Sequence, residues 1–114
     1  MMPTPFWSDY KAVAMDDWGA SPNPVAGTPH AKGKILAVNP DGSSESGIWS
    51  CTPGIRNLTC ANDEFCYFLD GEGAYIHESG EEIPVRTGTI VFFPKGWTGQ
   101  SVITKTLSKA FMSR

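Results

Sequence analysis

The stretch Gly88-Thr89-Ile90-Val91-Phe92-Phe93-Pro94-Lys95-Gly96 reads as one short strand held between two turns. Its apolar run is β-branched and aromatic, the composition of a strand. Thr87-Gly88 opens it, and Pro94 stands where a missing N–H disturbs no ladder. Side chains alternate across a strand, so Ile90 and Phe92 share one face and Val91 and Phe93 the other. Both faces are apolar. The strand is therefore expected to be covered on both sides, by a barrel interior and by a partner sheet or subunit.

The same punctuation runs through most of the chain. Gly is 12 and Pro is 9 in 114 residues, spaced between apolar segments rather than clustered. Ile35 to Val38 closes on Asn39-Pro40-Asp41-Gly42. Gly47 to Thr52 closes on Pro53-Gly54. Ile55 to Cys60 is followed by a turn at Ala61-Asn62-Asp63. Glu64 to Leu69 ends at Asp70-Gly71, Gly73 to Glu78 at Ser79-Gly80, and Glu82 to Arg86 at Thr87-Gly88. Gln100 to Thr104 and Leu107 to Met112 finish the chain. About nine short strands at this spacing predict an all-β sandwich or barrel. No stretch keeps a helical period over three turns, and there are no internal repeats. Residues 1–33 stand apart. Their prolines and glycines leave little room for regular structure, yet Phe6, Trp7, Tyr10 and Trp18 are too many aromatics for a free tail. An irregular N-terminal arm is expected, packing on the barrel of residues 34–114 or crossing to a partner subunit.

Composition bounds the function. Hydrophobic residues make up 40% and charged residues 18%, which suits one packed domain. The net charge of −3 argues against nucleic acid as the main partner. No apolar run approaches the roughly 20 residues of a membrane span. The first ten residues lack the basic and apolar regions of a signal peptide. Cysteines at 51, 60 and 66 are then expected to be reduced thiols in a cytoplasmic protein, with no Cys-x-x-Cys pair for structural zinc.

Strand parity picks out a candidate centre. Leu107, Lys109 and Phe111 share one face of the last strand. If the large apolar pair points inward, so does Lys109, and an unpaired ammonium inside costs several kcal/mol. It needs a carboxylate, and Glu64 shares its face with Cys66 and Phe68. Trp49 and Cys51 share a face in the strand before Pro53-Gly54.

Two stretches resemble the cupin family. The second cupin motif, Gly, five residues, Pro, one residue, Gly, is intact from Gly88 to Pro94 and Gly96. The end of the first, Glu, six residues, Gly, is met by Glu64 and Gly71. Together with Trp49 to Gly54, Trp97 and Lys109, these resemble the small single-domain cupins of the ureidoglycine aminohydrolase and ethanolamine-utilisation kind, over roughly residues 34 to 114. The resemblance implies a small jelly-roll β-barrel of the RmlC-like cupin type, a ligand in the barrel mouth and small-metabolite chemistry of aminohydrolase or isomerase type.

The chain departs from metal-binding cupins. Their early histidine positions fall on Asn57 and Thr59, or on Leu58 and Cys60, and the late one on Gly99. Only Glu64 of the four ligands is kept. No metal and no cofactor is expected, an unusual site through Glu64 with Cys60 or His77 being the weak alternative. The expected function is small-molecule binding, with Glu64 and Lys109 as a proton-transfer pair and Trp49, Cys51, Arg56, Cys66 and Trp97 around the ligand. The alternative is a non-catalytic metabolite-binding or accessory domain, and the ion pair reads equally well as structural. Cys51 and Cys66 read more readily as small buried hydrophobes than as nucleophiles, for want of a local base. A homodimer is expected from the two apolar strand faces.

Overall fold

A computed structural model describes residues 4–114. After a single 3-10 turn at Tyr10–Ala12, every regular element is a strand: β1 (Asp16–Ala20), β2 (Pro24–Ala26), β3 (His30–Val38), β4 (Glu45–Cys51), β5 (Gly54–Thr59), β6 (Glu64–His77), β7 (Glu82–Arg86), β8 (Ile90–Phe93) and β9 (Thr98–Ser113). No helix among the described residues is long and apolar enough to cross a membrane.

All nine strands join one antiparallel sheet that curls on itself. Two long strands make this possible. β6 and β9 pair along their whole lengths, from Glu64↔Ser113 to His77↔Gly99. The register slips repeatedly between Phe68 and Gly73, so both strands bend there. Beyond the bend, the Thr98–Ile103 half of β9 pairs β5, while β7 lies along the outer half of β6. Before it, the Leu107–Ser113 half of β9 pairs β4, and β8 lies along Glu64–Tyr67. The result is two half-sheets facing each other across a shared interior, the jelly-roll arrangement. Cys66, Phe68, Tyr75, Val85, Phe93, Ile103 and Leu107 fill that interior.

Two features differ from the sequence reading. The residues expected to form an irregular arm supply β1, β2 and the start of β3. β1 zips onto β3 and β2 onto β5, so 16–33 extends the sheet at both of its edges. Tight glycines at 19 and 27, both at positive φ, accommodate this where a proline-rich segment looked unfit for strand. Second, Asp70-Gly71 does not end a strand. It is the bulge of a continuous β6, and β9 likewise spans what read as two strands. Of the two covers expected for these strands, the interior is present, and among the described residues no second sheet lies on the outer face of β6 and β8. Phe65, Tyr67, Ile90, Phe92 and Met112 stand exposed and adjacent in register.

Gly71 shows what the bend demands. It sits at φ +91°, and a Cβ there would run into the Thr106 carbonyl and lie 2.7 Å from Leu107 Cα. Gly88 has the same backbone conformation, φ +93°, but open space around it. Gly71→Ala is therefore expected to cost about 3 kcal/mol or more, and Gly88→Ala only about 1 kcal/mol. Urea denaturation of the two variants measures the difference; equal losses would mean that close strand approach at the bend contributes nothing.

Candidate functional site

The inner faces of β4, β6 and β9 place three side chains around one point. Trp49 on β4 and Phe68 on β6 flank Lys109 on β9. The Lys109 side chain leans along the sheet, past the Cys66–Phe111 rung, toward Glu64 at the start of β6. Its Nζ donates to Glu64 Oε2 at 2.8 Å, and Cys66 Sγ donates to the same oxygen at 3.0 Å. Lys109 Nζ also lies 4.7 Å from the Trp49 ring centroid, a cation–π distance.

Glu64 is held by a brace between two turns. Cys60 N–H donates to the Trp97 carbonyl and Gly96 N–H to the Cys60 carbonyl, both at 2.8 Å. Lys95 N–H donates to Asp63 Oδ1 at 2.8 Å. The Pro94-Lys95-Gly96 turn thus fixes the residue before the carboxylate.

Electrostatics hold the pair ionised. Burial alone would raise the Glu64 pKa, but the Lys109 charge and hydrogen bond, the Cys66 thiol and the Arg56 charge bring it below the usual glutamate range. Burial opposes the Lys109 charge, yet its surroundings at Tyr75, Cys66 and Glu64 raise its pKa above the usual lysine value. Burial pushes the Cys66 thiol up to about 12, and burial with the neighbouring Glu64 charge raises Cys60. Both shifts disfavour the thiolate, the nucleophilic form.

The pair forms part of the wall of an open cavity of about 330 Å³. Of the residues singled out in the sequence, Glu64, Lys109, Trp49 and Arg56 line it. Cys66 stands behind Glu64. Cys51 is turned away, buried, with its Sγ 3.4 Å from Ser21 Oγ. Trp97, expected around the ligand, does not line the cavity; it packs into the core against Phe93 and Tyr75, with ring centroids 5.1 and 6.2 Å away. His77 packs against Trp97 with the rings tilted by 56°, and bonds to Ser79. Sequence reasoning placed neither Tyr75 nor Trp18 at the cavity. Tyr75 shares the inward parity of Phe68 only once the bulge at 70–73 is counted. Trp18 reaches the cavity because β1 joins the sheet, its ring lying over Gly33, where any Cβ would strike it.

A cupin metal does not fit these residues. Of the early positions Leu58, Thr59 and Cys60 border the cavity, but the Thr59 hydroxyl is paired with that of Thr98 and the Asn57 side chain with Gln100. The late position, Gly99, has no space: a Cβ there would lie 2.8 Å from the Trp97 ring and against the Ile76 carbonyl. Among the described residues no group of three or more His, Cys, Asp or Glu side chains could hold an ion.

A curled antiparallel jelly roll with an inward-facing glutamate beside the Pro-x-Gly turn defines a cupin. Residues 38–111 match the EutQ-like cupin domain, and the chain belongs to that family. Among solved structures it is similar to a putative ethanolamine utilization protein Q from Salmonella typhimurium LT2, with 23% identity, TM-score 0.73, and 92% of this chain and 81% of that one covered. The EutQ protein of Clostridium difficile aligns at 21% identity and TM-score 0.65 over 75% of this chain and 62% of that one. The polyketide cyclase RemF from Streptomyces resistomycificus aligns at 18% and 0.68 over 99% and 79%. No curated protein matches. At these identities the likeness is one of fold.

Lys109→Met would strand the Glu64 carboxylate, and a loss of roughly 3 kcal/mol is expected, with the Lys109→Met/Glu64→Gln pair recovering most of it. The pH profile follows from the two shifts. The Glu64 contribution is fully present above about pH 4.3 and is lost as pH falls through its lower folded value. The Lys109 contribution is fully present below about pH 10.4 and is lost as pH rises through its higher folded value. Thermal melts of wild type and double variant across pH check this; parallel acid limbs would show that the pair carries no such linkage.

Proposed function

We propose that this cupin binds a small polar metabolite in the cavity, against the Glu64–Lys109 pair, without a metal. One observation carries the reading: an ion pair at 2.8 Å forms part of the wall of an open cavity instead of lying sealed in the core, and the Glu64 side chain keeps 27% of its exposure. Two charged groups kept at the wall of an open cavity are a recognition feature, since an apolar wall of the same shape would serve stability as well. RemF, a polyketide cyclase with this fold, shows what chemistry the scaffold hosts elsewhere.

Proton transfer is a consequence of binding in this reading. In the free pocket the Lys109 charge keeps Glu64 a weak base. A ligand that takes over the Lys109 donors would free Glu64, whose burial then drives its pKa up toward the range where a base works at neutral pH. The non-catalytic alternative keeps the same pocket and omits this step. A thermal-shift screen of ureides, small carboxylates and sugars tests binding: ligands should raise Tm in wild type and fail to do so in Glu64→Gln. Hits that bind Glu64→Gln equally well would remove the pair from the site. Exchange of ligand C–H protons into D₂O, followed by NMR and abolished in Glu64→Gln, separates the enzyme from the binding module.

The exposed Phe65, Tyr67, Ile90, Phe92 and Met112 face supports a homodimer in which a second copy covers it. The unpaired thiols at Cys51, Cys60 and Cys66 suit a reducing, cytoplasmic setting. Light scattering should give twice the chain mass for wild type and a monomer for Phe92→Asp; an unchanged mass in that variant would place the contact elsewhere.

A further inference from the structure

Three buried side-chain polar atoms among the described residues lack a hydrogen-bond partner: Arg56 Nε, Ser101 Oγ and Tyr75 Oη. They are not scattered. Arg56 on β5 pairs in register with Ser101 on β9, and Ser101 pairs with Tyr75 on β6. The three therefore form one rung across adjacent strands, on the inward face. Arg56 and Tyr75 both line the cavity, and Tyr75 keeps only 2% of its exposure. Buried polar groups are almost always satisfied, so three orphans on one rung call for a missing partner.

The chemistry of the rung selects that partner. Arg56 Nε–H only donates, and the two hydroxyls can both donate. Lys109 is already neutralised by Glu64, while Arg56 makes no ion pair among the described residues. The rung therefore presents a guanidinium with no carboxylate in contact, flanked by hydroxyl donors, which complements an oxyanion. The same cavity offers apolar surface at Trp18, Trp49, Leu58 and Phe111. We propose that Arg56, Ser101 and Tyr75 form a carboxylate-binding rung, and that the ligand is a small organic acid whose apolar body lies against the tryptophans. This rests on the cavity being the ligand site, as argued above, and specifies which groups hold the ligand's charged end.

Benzoate, with benzamide as its neutral counterpart and inorganic phosphate as a carbon-free anion, tests the proposal by calorimetry on the full chain. Benzoate is expected to bind at least roughly tenfold more tightly than benzamide, the contribution of a charge-assisted hydrogen bond. It should also shift the Arg56 Nε–H resonance. Arg56→Gln should abolish the preference for benzoate. Tyr75→Phe provides the control for folding: because the buried hydroxyl makes no well-formed hydrogen bond in the free protein, its removal should leave Tm nearly unchanged while weakening benzoate roughly tenfold. Equal binding of benzoate and benzamide, still sensitive to Glu64→Gln, would overturn the rung and leave the cavity reading standing. Binding of phosphate but not benzoate, or of neither, would also overturn it, the second result being that of a rung satisfied by trapped water alone.

Discussion

A lysine inside a β-shell sets the terms for everything around it. Lys109 sits between Leu107 and Phe111 on the inward face of β9, so its ammonium leaves water when the sheet curls. That transfer is tolerable only with a carboxylate in contact. The carboxylate must come from a neighbouring strand and must itself be fixed. The chain meets this by placing Glu64 at the first residue of β6 and tying the preceding turn to Pro94-Lys95-Gly96 through Asp63, Cys60 and Trp97. Only a small side chain at position 66 leaves the lysine room to cross the intervening rung. A thiol fits there and adds a bond to the same oxygen.

Parity arguments went far in this sequence because both strands are regular where the pair sits. Glu64, Cys66 and Phe68 alternate cleanly, as do Leu107, Lys109 and Phe111, so their shared inward direction was legible. Turn residues were harder. Asp70-Gly71 has the composition of a hairpin turn, but with β9 bent alongside, the same positive-φ glycine serves a bulge. Local chemistry is the same in the two cases; what differs is the pairing partner, a long-range fact. Tyr75 was hidden for this reason, since each bulge shifts parity. Trp18 was hidden because β1 and β2 have little strand propensity of their own and form by pairing with β3 and β5. Trp97 misled in the other direction: a tryptophan after Pro-x-Gly reads as a loop residue, but the turn folds back and drives it into the core.

The placement of Trp97 bears on the missing metal ligands. In the metal-binding pattern the residue at Gly99 would carry an imidazole into the barrel. Here the space next to Gly99 is filled by the Trp97 ring, and Leu58 faces Gly99 across the β5–β9 ladder. These substitutions are mutually consistent. The tryptophan would clash with a side chain at 99, and Leu58 gives the indole and the cavity an apolar neighbour. Restoring one histidine would therefore not restore a site; the tryptophan would have to move as well.

With the metal position filled by apolar groups, the polar demand in the cavity falls on two places, and they are balanced differently. The Glu64–Lys109 pair satisfies itself, with the cation–π contact to Trp49 as a further support. The Arg56–Ser101–Tyr75 rung does not: each unpartnered group costs on the order of 1–3 kcal/mol in the free protein. A sheet under selection for stability alone would replace Tyr75 by Phe and Ser101 by Ala at no cost in packing. Keeping three such groups in one row is a stability sacrifice confined to the cavity side of the sheet. It is the pattern expected where the folded state is completed by something that arrives from solution.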